Sequence, residues 1–142
     1  SRLFDVSLSR LGSFKLRTLL VLAQKRLKSL DQDCPNESFH KIRIELKKVR
    51  YTYEFLSEIF YFDGLKKYEE RLKDMQEIFG ALQDYDVWLG ILERLPVAAG
   101  KEKLESKIYK QIYKIREEIL KKRLKFIKAT RKISRNLKIY YI

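Results

Sequence analysis

Four side chains in one stretch have the chemistry and the spacing to hold an anion. His40, Arg43, Lys47 and Arg50 stand at i, i+3, i+7 and i+10. At 100° per residue a helix brings all four within about 80° of arc, as a ladder about 15 Å long. Arginine forks onto phosphate oxygens, lysine offers a mobile point charge, and an imidazole donates from one or both ring nitrogens. A row of that length fits the repeat of a linear polyanion better than a single phosphate monoester. On the same helix Ile42, Leu46, Val49, Tyr53 and Phe60 form a core stripe, and Ile44, Phe55 and Ile59 form a further apolar edge on the other side. Cations flanked in this way are expected to line a groove.

The elements that must position the ladder are helices. Leu16, Leu19, Leu20, Ala23, Leu27 and Leu30 recur at three- and four-residue spacing and predict a helix over 11–30. Pro35, suited to a first turn, and Glu37, at the positive end of the dipole, predict a second over 35–61. Phe62, Asp63 and Gly64 supply a turn. Leu65, Tyr68, Leu72, Met75 and Phe79 predict a third helix that stops near Gly80. Asp84 is expected to cap a short fourth, carrying Val87, Trp88, Ile91, Leu92 and Leu95 and closed by residues 96–100. A last helix from Lys101 keeps Leu104, Ile108, Ile112, Ile115, Ile119, Phe126, Ile133 and Leu137 on one face. Two prolines, five glycines and no strand alternation give an all-α fold. The expected architecture is one domain over 1–142, a helical bundle of four to five helices with a long C-terminal helix. That last helix, about 38 residues and about 57 Å, is nearly twice a 20-residue neighbour. It is expected to bend near 130–134 or to pack its tail, with Tyr140, Tyr141 and Ile142, on another subunit.

Composition narrows the function. The 142 residues carry 32 Lys+Arg against 19 Asp+Glu, and 45% hydrophobic residues suffice for a core. The charge is polarised: residues 101–142 hold 15 basic side chains against 4 acidic ones, and the first 100 residues are nearly balanced. Such a field attracts polyanions, whether nucleic acid, an acidic membrane surface or a phosphate polymer, and its bland counterpart is a solvated, soluble face. Cys34, the single cysteine, cannot form an internal disulfide, which fits a reducing, cytoplasmic setting. No aliphatic run approaches the roughly 20 residues of a membrane span, and residues 1–14 lack the pattern of a signal peptide.

Two stretches resemble a known family. Phe39 to Glu54, with His40, Arg43, Lys47, Arg50, Tyr51 and Glu54, is similar to the H-x-x-R-x-x-x-K-x-x-R-Y-x-x-E signature of CHAD (conserved histidine α-helical) domains. Leu72 to Val87, with Gln76, Phe79, Gly80, Leu82, Gln83 and Asp84, resembles that family's L-x-x-x-Q-x-x-L-G-x-L-N/Q-D-x-x-V stretch. The resemblance implies helical bundles enclosing a basic groove for inorganic polyphosphate, with His40, Arg43, Lys47 and Arg50 as contacts and association with polyphosphate granules. Family members usually carry two bundles, each with a His-bearing ladder. This chain has one ladder and resembles the second half, so a homodimer is expected to rebuild the pair; a trimmed longer protein or an open monomer are the alternatives.

Geometry adds candidates from the last helix. Arg116 and Arg123, seven residues apart, lie between the Leu104/Ile108/Ile112 stripe and a second stripe of Tyr109, Tyr113, Leu120 and Ile127. They are expected either to point into the groove or to act as snorkelling cations and partners of Asp84 or Asp86. Lys122, on the apolar face, and Arg131, near the second stripe, are weaker candidates of the same kind. No catalytic residue is assigned: there is no nucleophile–base pair, glycine-rich phosphate loop or paired-carboxylate motif, so no enzyme and no cofactor is expected. One histidine beside unspaced carboxylates makes no metal site. The competing function is a nucleic-acid-binding protein that uses the basic last helix, with tyrosines for base stacking. A third reading is a helical assembly subunit.

Overall fold

The computed structural model describes residues 2–59 and 64–139, and the side-chain surroundings of 10–58, 64 and 66–135. Four helices follow one another: α1 Arg2–Ser29, α2 Asn36–Ile59, α3 Leu65–Arg94 and α4 Lys101–Ile139. Each packs on its chain neighbours, and α4 returns to close on α1, so the four form a cyclic, up-and-down bundle. The core is the heptad-like stripe of each helix: Leu16, Leu20 and Leu27 of α1, Ile42, Leu46 and Val49 of α2, Leu72 and Phe79 of α3, Ile119 and Phe126 of α4. Where α2, α3 and α4 meet, the Tyr68 ring lies 5.6 Å from Tyr53 and 5.8 Å from Phe126. Its hydroxyl shares a hydrogen bond of 3.1 Å with Thr130 Oγ1, and burial pushes the phenol above its ordinary pKa. α1 and α2 approach closely at Gly12, where a β-carbon would collide with the Leu56 side chain.

The all-α bundle is as expected, and several details are not. α3 does not stop at Gly80, and no separate fourth helix begins at Asp84; one helix runs unbroken from Leu65 to Arg94. Its buried positions Met75, Phe79, Leu82, Leu89 and Leu92 keep one face through Gly80, and that packing outweighs the roughly 1 kcal/mol cost of an interior glycine. Asp84 is therefore mid-helix and caps nothing. Val87, Trp88, Ile91 and Leu95 are exposed, as are Leu104, Tyr109 and Tyr113 of α4. α1 begins at Arg2, well before residue 11. The 39 residues of α4 remain one helix through 130–134, where Thr130 and Ile133 are buried. Its neighbours are longer than the assumed 20 residues: α3 has 30 and α1 has 28. Expectations on Phe60, Phe62, Asp63, the side chains of Ile59, Leu65 and Leu137, and the tail Tyr140, Tyr141 and Ile142 lie outside the described residues. No helix among those described is long and apolar enough to cross a membrane.

Candidate anion-binding site

α2 and α3 run antiparallel and enclose a cleft of about 330 Å3. Arg43, Lys47 and Arg50 line it from α2, and Lys73, Gln76, Glu77 and Gly80 line it from α3. Three rungs of the ladder thus share one space, and Arg43 also touches the neighbouring, closely packed spot that holds His40, Gln83 and Asp86 over Phe39, Phe79 and Leu82. Gly80 keeps the cleft open, since no atom lies within 4 Å of where its β-carbon would stand.

The two sequence motifs interlock through glutamines. His40 Nδ1 donates to Gln83 Oε1 at 3.2 Å, which leaves Nε2 uncommitted. Arg50 Nη1 donates to Gln76 Oε1 at 3.1 Å, and Arg50 Nε donates to Glu54 Oε1 at 2.8 Å. Each end of the ladder is therefore held by a side chain of the second motif, seven residues apart on α3. This role for Gln76 and Gln83 escapes sequence reasoning, although both stand at named motif positions.

The apolar flanks differ from each other. Ile42, Leu46, Val49 and Tyr53 are buried, whereas Ile44 and Phe55 are exposed and, with Tyr51, form an open stripe beside the ladder. Glu45, the one acid among the basic residues of 39–50, faces the other way and bridges Arg26 of α1 at 2.6 Å. Burial pushes its carboxyl above the usual range despite the attraction of Arg26 and Lys48. It therefore leaves the ladder's charge intact. Asp86 is likewise pushed up by burial, against the pull of Arg116 and His40.

Arg116 and Arg123 line neither the ladder cleft nor the spot around His40, although Arg116 acts on Asp86 there through its charge. Arg116 lies 4.3 Å over the Phe39 ring and donates to the carbonyls of Gln32 and Cys34 at 2.8 and 2.9 Å, and to Asn36 Oδ1. Arg123 donates to the carbonyls of Leu27 and Leu30. Both guanidinium groups bond carbonyls at the end of α1 and in the α1–α2 connection, which fixes the start of the ladder helix. Lys122 is exposed and pairs with Glu118 at 2.9 Å, and Arg131 is exposed. Among the described residues no group of three or more His, Cys, Asp or Glu side chains could hold a metal ion.

A family model described as CHAD domain matches residues 7–93, more than half of the chain and nearly all of α1 to α3. The chain belongs to the CHAD-domain family. No curated protein and no solved structure matches it.

Proposed function

We propose that the chain is a non-catalytic binding protein for inorganic polyphosphate, with His40, Arg43, Lys47 and Arg50 as its contacts. One observation carries this reading: Arg43, Lys47 and Arg50 open on a single cleft, and His40 continues the same row. Successive cations along a cleft suit successive phosphates, and the forked guanidinium groups set their register. Family membership points the same way. The open stripe of Ile44, Tyr51 and Phe55 runs beside the ladder, so a second copy packed on it would bring two ladders face to face as a homodimer. Such a protein would act in the cytoplasm and collect on polyphosphate granules.

The test is competition at low salt. Long-chain polyphosphate should displace DNA or RNA at equal phosphate concentration, and His40→Ala with Arg43→Ala should abolish binding at the α2–α3 cleft while the helical circular-dichroism signal stays intact. Displacement in the reverse order would favour the nucleic-acid reading.

A further inference from the structure

On the other side of α3 a second cleft, of about 520 Å3, opens against α4. Lys67 and Arg71 of α3 and Lys125, Lys128 and Lys132 of α4 line it over a floor of Tyr68, Ala129 and Ile133, with no acid among the described residues that line it. On α3 its residues point about 150° away from Lys73, Gln76 and Gly80, so the two clefts lie on nearly opposite faces of one helix. None of the ion pairs among the described residues includes any of these five cations.

A row of lysines leads away from the cleft along α4. Lys121, Lys125, Lys128 and Lys132 repeat the spacing of Lys103, Lys107, Lys110 and Lys114 eighteen residues earlier. Eighteen residues are five full turns, so both sets fall on one face about 60° wide, and the row is about 44 Å long. All eight lysines are exposed. We infer that the α3–α4 cleft is a second binding site, for the closely spaced phosphates of a linear polyanion that enters along this row of lysines. Like charges converging on one cavity repel one another, and a polyanion converts that repulsion into attraction with release of counterions. A flat anionic membrane fits less well. The cations of the cleft converge into a concavity, which an extended chain can enter and a flat surface cannot.

The site stands independently of the ladder, and its test separates the two. In calorimetric titration with tripolyphosphate the unaltered chain should take up two equivalents. A ladder variant, Arg43→Ala with Lys47→Ala, should keep one. A cleft variant, Lys67→Ser with Lys128→Ser and Lys132→Ser, should keep the other, and all three substitutions fall on exposed side chains, so the helical signal should persist. Adding the cleft substitutions to the ladder variant should weaken long-chain polyphosphate by about tenfold or more at low salt. A ladder variant that binds nothing overturns the second site, as does a cleft variant with unchanged stoichiometry and affinity. Loss of all binding in the cleft variant, with full affinity in the ladder variant, would instead overturn the ladder and leave the α3–α4 cleft as the site. Within the ladder variant, competition between long-chain polyphosphate and single-stranded DNA at equal phosphate identifies the source of the phosphates. Capture of phosphatidylserine vesicles through these lysines, without binding of either soluble polyanion, overturns the proposal.

Discussion

The two clefts flanking α3 hold their cations in opposite ways. On the α2 side Arg50 is fixed by Gln76 and Glu54, His40 by Gln83, and Lys73 lies 3.5 Å from Glu69. On the α4 side five cations surround a larger space, with no acid among the described residues that line it. The first arrangement trades charge for position and suits recognition by shape. The second keeps its charge on four lysines and Arg71 and suits capture, with the steeper dependence on salt that counterion release implies. α4 itself repeats the contrast: its inward arginines bind backbone carbonyls, whereas the eight lysines of its repeat enter none of the ion pairs among the described residues.

The largest expected effect tests the positioned side. With the α3–α4 lysines removed, Arg43→Ala with Lys47→Ala should lower polyphosphate affinity by about a hundredfold or more, since each charge-assisted contact contributes about 1.5–3 kcal/mol. A loss below about threefold by calorimetry would erase the distinction between the clefts. Next comes the inward face of α4. Arg116→Met should cost about 2–3 kcal/mol in urea unfolding, because two carbonyls lose a charged donor and Phe39 loses its cation. Affinity per folded molecule should hold; a fall in affinity at unchanged stability would make Arg116 a ligand contact after all. Gly80→Ala should raise stability by about 0.5–1 kcal/mol and weaken binding in the α2–α3 cleft alone, because the methyl group enters that space.

The smallest effect concerns pH. The folded chain holds the Asp86 proton more tightly than the unfolded chain does, so stability falls as pH rises from the ordinary aspartate value through the raised one. Asp86→Asn should flatten that fall in urea midpoints measured upward from about pH 4, leaving the part due to Glu45, whose shift has the same sign. An unchanged profile would show that Asp86 carries no burial penalty.

Much of this was legible in the sequence. The ladder and the all-α class follow from helical arithmetic on short segments, and both motifs lie on the faces that pack α2 against α3. The division of α3 was misread because Gly80 and Asp84 carry strong local signals for a stop and a cap, and a glycine's propensity is weaker than the buried contacts on either side of it. The outward turn of Trp88 and Ile91 followed from the same error of phase. Arg116 and Arg123 lie between two stripes, yet most of their acceptors are main-chain oxygens more than eighty residues away in sequence, which no side-chain pattern announces. The lysine repeat of α4 is visible in the sequence, but its meaning depends on Lys67 and Arg71 arriving from another helix.

Gln83 and Gln76 steady the two ends of the ladder with neutral amides. A carboxylate grips more firmly but offsets what it grips, as Glu54 does at Arg50. The amide instead acts as a rack that cocks the imidazole and the guanidinium beforehand, so an arriving chain meets side chains already frozen in place, and less freedom remains to be lost at the moment of contact. Recognition at this end of the molecule is thereby prepared during folding, long before any ligand is met.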